Sequence, residues 1–142
     1  MAISRRSFLG TSAAAALATG FSPTTGTAFA SESRSPNEKF NLGYIGCGIR
    51  FHTALAPFGT EFGPCLALSD VDLVQAGRAQ QKIFDCHRNH NQPLDVKIHE
   101  DYQHILDNPK IDVVFIGTPD HWHTKPLIEA MKGGKDVYCE KP

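Results

Sequence analysis

The sequence predicts a doubly wound α/β domain built on a parallel sheet, and three observations carry that prediction. Short apolar runs recur along the chain, as "FNLGYIG", "PCLALSD", "IDVVFIG" and "KDVYC". Stretches with helical spacing or helix-end signals separate consecutive runs. One run, "IDVVFIG", is apolar almost throughout, as a strand covered on both faces of a parallel sheet should be. Strand and helix alternating at this spacing require right-handed crossovers, so each strand lies parallel to its neighbour.

The elements follow in order. "FNLGYIG" ends in glycine and reads as the first strand, and "RFHTALAPF" follows as a helix. "PCLALSD" is the second strand, terminating on Asp70. Beyond it Leu73, Ala76, Ala79 and Ile83 recur at spacings of three and four with Phe84 beside them, predicting a long amphipathic helix with a solvated polar face. "DVKIHED" is a weak third strand. Tyr102, Ile105 and Leu106 mark a short helix that Asp101 could cap and that ends before Pro109. "IDVVFIG" is the fourth strand. A turn at "TPDHWH" leads into a helix with Pro126 in its first turn and Gly133 and Gly134 at its C-terminal end, and "KDVYC" is the fifth strand.

Ahead of the domain, "SRRSFLG" pairs Arg5 and Arg6 before a small, mildly apolar stretch, with no acidic residue before Glu32. This reads as a twin-arginine export signal, and "AFA" at Ala28 to Ala30 offers a small-x-small cleavage site. Residues 1–30 are therefore expected to be removed, leaving a periplasmic or extracellular protein with a linker at 31–39 and a domain at 40–142. A lipid-facing anchor or a basic tail is the competing reading of the same segment. Of 14 basic residues, Arg5 and Arg6 fall in the leader, leaving 12 against 15 acidic groups and no basic stripe. That balance argues against a nucleic-acid partner. Cys47, Cys65, Cys86 and Cys139 form no C-x-x-C pair, and a protein exported after folding in the reducing cytosol is expected to keep them as thiols. The pairs His121/His123 and His87/His90 lack a third ligand at suitable spacing, so no metal site is expected.

The first turn carries the chemistry. In "GYIGCGIRF", Gly46 and Gly48 stand between a strand and a helix, where a dinucleotide pyrophosphate can meet backbone N–H groups and the positive end of a helix dipole. Gly46, Cys47, Gly48, Ile49 and Arg50 are the candidate phosphate loop. The third glycine of the G-x-G-x-x-G fingerprint is replaced by Phe51, so either the helix sits farther from the strand or its register differs. Asp70 lies 22 residues after Gly48 at the tip of the second strand, where a carboxylate can accept from the adenosine ribose hydroxyls. A carboxylate there repels a 2′-phosphate and favours NAD, with NADP possible. Capping of the following helix is the other reading of Asp70.

"GTPDHWH" after the fourth strand, followed by "GGKDVYCEKP", resembles the glucose-fructose oxidoreductase, inositol dehydrogenase and MocA family, over residues from about Phe40 to Pro142. The resemblance implies a Rossmann-type NAD(P)-binding domain followed by a sheet domain with most of the substrate site, acting on sugars, polyols or related compounds, in relatives that form homo-oligomers. Carried over by residue, Gly46 and Gly48 match the phosphate turn, Asp70 the ribose acid, and Thr118, Pro119 and His123 the loop beside the cofactor. Glu140, Lys141 and Pro142 match the EKP motif, with Lys141 the catalytic candidate and a cis Lys141–Pro142 bond implied. Trp122 is expected to wall the cofactor or the substrate mouth.

No counterpart of the second domain follows Pro142, and the sheet stops after its fifth strand. Apolar surface and an unpaired edge are expected there. Three readings stand: an incomplete oxidoreductase, inactive alone; a self-sufficient dinucleotide-binding module; or an interaction protein that completes its sheet with another chain.

Overall fold

A computed structural model describes residues 38–88 and 95–141. The leader, its cleavage site, most of the linker, His90 and Pro142 with its peptide bond lie outside the described residues.

Five parallel strands form one sheet in the order β3-β2-β1-β4-β5, with β1 Leu42–Ile45, β2 Cys65–Ser69, β3 Lys97–His99, β4 Val113–Ile116 and β5 Asp136–Cys139. The predicted α/β class is the observed one. The chain runs outward from β1 to β3, returns to β4 on the far side of β1 and continues to β5. This reversal makes the β1/β4 boundary a topological switch point, with a crevice at the carboxyl ends of the strands.

Alternation along the strands divides the core in two. Leu42 and Tyr44 of β1 with Phe115 of β4 point to one face, where they pack with Phe51, Leu55, Ala79 and Ile83. Ile45, Val114 and Ile116 point to the other, where they meet Ile105, Ile111 and Ala67. The first face is covered by the helical stretch 49–59 and by α2, Leu73–His87. The second is covered by α3, Gln103–Leu106, and α4, Thr124–Lys132.

The stretch 49–59 resolves the question posed by Phe51. Its first part, Phe51–Leu55, is π-helical, and the Ala56 N–H donates to the Phe51 carbonyl five residues back; Ala56–Gly59 continues as α1. Phe51 is completely buried and meets the Tyr44 ring edge-on at 5.2 Å, while Tyr44 stacks on Phe115 at 5.0 Å. The missing third glycine is thus replaced by an aromatic wedge, and the wider helical turn lets the wedge fit. Gly59 completes the arrangement, because a Cβ there would collide with the Tyr44 hydroxyl.

The buried stripe of α2 differs from the expected one. Ala76, Ala79, Ile83 and His87 face the core, whereas Leu73 is 52% exposed and Phe84 36%. One residue turns a helix by about 100°, which carries Phe84 away from the face that Ile83 occupies. Leu73 immediately follows the cap residue Asp72, at the open end of the sheet. At the start of the short α3 the cap position is Tyr102, not Asp101, although Asp101 Oδ1 accepts from the Gln103 N–H at 2.9 Å.

Among the described residues β5 pairs only with β4. Its inward residues Val137 and Cys139 pack on the second core. On the other face Tyr138, 41% exposed, lines an apolar groove of about 240 Å³ with Phe40, Phe58, Phe62 and Phe115. All four cysteines are free; Cys47 and Cys65 are buried, Cys86 and Cys139 partly so.

Replacing Phe51 by alanine moves the sequence toward the fingerprint yet empties the wedge site. Its unfolding free energy in urea should fall by about 3–5 kcal/mol, the usual cost of truncating a buried phenylalanine. A loss under about 1 kcal/mol would mean that the π turn closes over the space.

Candidate functional site

The site is built where β1, β2, β4 and β5 end. Gly46 follows β1 with φ of +87°, a conformation that side chains other than glycine's disfavour. An added Cβ would lie 2.6 Å from the Thr118 nitrogen and 2.7 Å from the Gly117 carbonyl carbon. The Gly46 N–H donates to the Ser69 carbonyl, and the Gly117 N–H to the Ile45 carbonyl, both at 2.8 Å. Gly48 is different. Nothing lies within 4 Å of where its Cβ would be. The first glycine is needed by the protein's own backbone; the second faces open space.

Cys47 lies between them, its side chain buried. Its N–H donates to Asp70 Oδ2 at 2.7 Å, and its thiol donates to the Ser69 carbonyl at 3.6 Å. Burial, and then the charge of Asp70, push this thiol far up from its ordinary range, so it is held as the neutral thiol.

Asp70 is not the cap of α2. That role belongs to Asp72, whose Oδ1 accepts from the Val74 N–H at 2.9 Å and the Gln75 N–H at 3.3 Å. Asp70 instead accepts from Cys47 through Oδ2 and from the Asp72 N–H through Oδ1 at 2.9 Å. The two amides fix the carboxylate's plane and leave lone pairs on both oxygens for hydroxyl donors.

After β4, Thr118 and Pro119 lead into a 3₁₀ turn, Asp120–Trp122, and then α4. His123 is buried, and its Nε2 lies 2.7 Å from the Thr118 carbonyl oxygen. That partner is an acceptor, which assigns the proton to Nε2 and makes the ring a clasp that closes the loop. The Thr118 hydroxyl is buried and has no hydrogen-bond partner among the described residues. Trp122 is half exposed and, with His121, Lys125, Ile128, Glu129 and Lys132, lines an open groove of about 540 Å³ against α4.

Glu140 follows β5, and its N–H donates to the Ile116 carbonyl at 2.9 Å. Its side chain is only 10% exposed and meets the Arg50 guanidinium at 2.9 Å, Nη2 to Oε1, while Arg50 is 55% exposed. The second oxygen, Oε2, is buried and meets no hydrogen-bond partner among the described residues. The hydrogen bond from Arg50 holds the Glu140 carboxyl below its ordinary value of 4.5 against the opposing effect of desolvation, with the Arg50 charge and the Lys141 backbone N–H adding to the same end. Lys141, next in the chain, is exposed.

Direct hydrogen bonds thus join Cys47 to Asp70 and Arg50 to Glu140, and the Gly46 contact presses the first loop against Thr118. Ile49 is 82% exposed at the start of the first helical stretch. The Arg50–Glu140 pairing could not be read from the sequence, because the partners lie 90 residues apart and no local pattern connects them. The residues fit a dinucleotide: an open approach at Gly48, a fixed carboxylate, and two buried polar atoms, Thr118 Oγ1 and Glu140 Oε2, that meet no hydrogen-bond partner among the described residues. Among the described residues no group of three or more His, Cys, Asp or Glu could hold a metal ion.

Because the folded-state pKa of Glu140 is depressed, its contribution to stability is present above its ordinary value and is lost as pH falls through the lower folded value. Glu140→Gln should therefore flatten part of the acid limb when urea midpoints are measured from about pH 6 to about pH 3. An acid limb of unchanged slope would show that the pair contributes nothing to folding.

Comparison with known proteins agrees with this geometry. Residues 40–142 match the model of the GFO_IDH_MocA oxidoreductase family, NAD-binding Rossmann fold. A glycosyl hydrolase family 109 protein from Saccharopolyspora erythraea is 30% identical over 98% of this chain and 33% of its own length. A levoglucosan dehydrogenase from Pseudarthrobacter phenanthrenivorans is 48% identical over a segment covering 30% of this chain and 11% of its own. Among solved structures, myo-inositol dehydrogenase from Lactobacillus casei in complex with NAD(H) and myo-inositol superposes with a TM-score of 0.59 at 26% identity, covering 74% of this chain and 29% of that one. The chain therefore spans about a third of the relatives it matches along most of its length. With its parallel sheet, its glycine turn and its carboxylate at the tip of β2, the chain belongs to the GFO_IDH_MocA family of oxidoreductases and is an NAD-binding Rossmann domain of that family.

Proposed function

We propose that this chain is the cofactor-binding portion of an exported oxidoreductase that acts on a hydroxyl-bearing carbon of a sugar, polyol or related compound, and that it is inactive without a substrate domain. The observation that carries the reading is the pairing of open space at Gly48 with the Asp70 carboxylate, which the amides of Cys47 and Asp72 hold in place.

Each residue then has a task. Gly48 lets the backbone approach the pyrophosphate, and the start of the helical stretch 49–59 faces it with unpaired N–H groups. Asp70 accepts from the ribose hydroxyls with the lone pairs that Cys47 and Asp72 leave free, and its charge disfavours a 2′-phosphate, so NAD is preferred to NADP. Thr118 and Glu140 offer their unsatisfied oxygens to the polar edge of the cofactor. The bound nicotinamide supplies the hydride chemistry. Lys141, exposed just after β5, takes or returns the proton of the substrate hydroxyl. His123 serves as the clasp of the loop and touches no reacting atom. The substrate class rests on relatives whose names are levoglucosan dehydrogenase and myo-inositol dehydrogenase. Export rests on Arg5, Arg6 and the "AFA" site.

Calorimetric titration with NAD tests the central step. Gly48→Val should leave the unfolding free energy in urea within about 0.5 kcal/mol of the parent, since its side chain meets only open space, and weaken NAD binding by tenfold or more, about 1.4 kcal/mol. Equal affinity in the two proteins would sink the assignment of this turn. Export is tested separately by fractionating cells that express the full chain. The double variant Arg5→Lys, Arg6→Lys should remain in the cytoplasm, and export as efficient as the parent's would refute a twin-arginine route.

A further inference from the structure

Arg50 stands in the first turn after Gly48, where a cation is most simply read as a ligand for pyrophosphate. The structure gives its guanidinium another partner. It reaches from the end of β1 to the end of β5 and holds Glu140 at 2.9 Å, spanning 90 residues of sequence. The arrangement is asymmetric. Glu140 is nine-tenths buried and Arg50 is half exposed, so the carboxylate is the fixed member and the arginine the strap that lies over it. The backbone of Glu140 is fixed from the other side, through its N–H to Ile116. The peptide that begins at the Glu140 carbonyl and carries Lys141 thus leaves a residue held through its N–H by β4 and through its carboxylate by the arginine, and the arginine can let go without breaking the sheet.

We propose that Arg50 is a positioning residue for Lys141: through Glu140 it sets the direction in which the chain leaves β5, and this, not phosphate binding, is its principal role. The inference rests on the reading of Lys141 as the residue that handles the proton. Its physical basis is the cost of leaving a buried carboxylate unpaired. Without Arg50, Glu140 keeps a charge in a site where Oε2 has no hydrogen-bond partner among the described residues, and the side chain must turn outward toward water or toward the nearest remaining cation. Either movement turns the following peptide. An arginine that served chiefly as a phosphate ligand would have no need of a buried partner.

The test is made on the full chain, with trace acetylation of lysines by an amine-reactive ester and site-by-site readout by mass spectrometry across pH. Lys132, exposed on α4, serves as the internal reference. Arg50→Gln and Glu140→Gln should each shift the labelling rate of Lys141 relative to Lys132 by about threefold or more, and the double variant should shift it no further, because both changes break one contact. Arg50→Lys, which keeps a charge but loses the planar fork, should recover part of the difference. Labelling of Lys141 that is unmoved in Arg50→Gln overturns the proposal, and so does a shift in Arg50→Gln that Glu140→Gln does not reproduce. NAD titration of the parent protein is the separate control: if it binds no NAD while the labelling shifts hold, the cofactor assignment fails and the strap remains.

Discussion

A Cβ on Gly46 would lie 2.6 Å from the Thr118 nitrogen, a separation that bonded neighbours approach and packed atoms do not. The loops leaving β1 and β4 are therefore in backbone contact, and the rest of the site depends on that closeness. It is enforced from both sides, by Gly46 N–H to Ser69 and by Gly117 N–H to Ile45, so three strand ends are tied at one point. Because β1 and β4 diverge in connectivity at this boundary, no helix crosses it, and the crevice above stays open. The glycine that seems made for a ligand is in fact demanded by the fold. The ligand's share of the turn falls to Gly48 alone.

Below the turn, a departure from the local fingerprint is compensated within the first core. Phe51 takes the place where close packing of helix on strand normally asks for a small residue. Its ring goes into the core against Tyr44 and Phe115, and the backbone answers with a hydrogen bond of π-helical length. Arg50, the residue immediately before the widened turn, reaches Glu140 from there.

What was legible in the sequence was what repeats or punctuates. Four strands announce themselves as apolar runs, whereas β3, three residues long, shows only weakly within "DVKIHED". The two acids in "SDVDL" could not be told apart, since a ribose acid and a helix cap are both carboxylates at a strand exit; only the geometry assigns the first role to Asp70 and the second to Asp72. The π turn left no mark, because one hydrogen bond of unusual length has no periodicity. Nor could Leu73 and Phe84 be separated from the buried stripe, as spacing ranks residues by angle and says nothing of where the helix outruns the sheet.

Polar groups at the two ends of the sheet are met in different ways. At the amino ends, the Asn41 N–H donates to Asp112 Oδ2 at 2.8 Å, and the Asp136 N–H to the Asp112 carbonyl at 3.0 Å. Lys135, nearly buried, donates to the carbonyls of Asn108 and Ile111 at 2.7 and 2.9 Å, and desolvation lowers its pKa. Each of these groups has found its partner inside the chain. At the carboxyl ends the Thr118 hydroxyl and one oxygen of Glu140 are buried and have found none among the described residues. A buried polar oxygen that meets no such hydrogen-bond partner is a place where a group from outside the chain can be received. Those two atoms lie on the strand ends where the glycine turn and Asp70 also converge, so the unsatisfied hydrogen bonds and the open approach at Gly48 point to the same occupant.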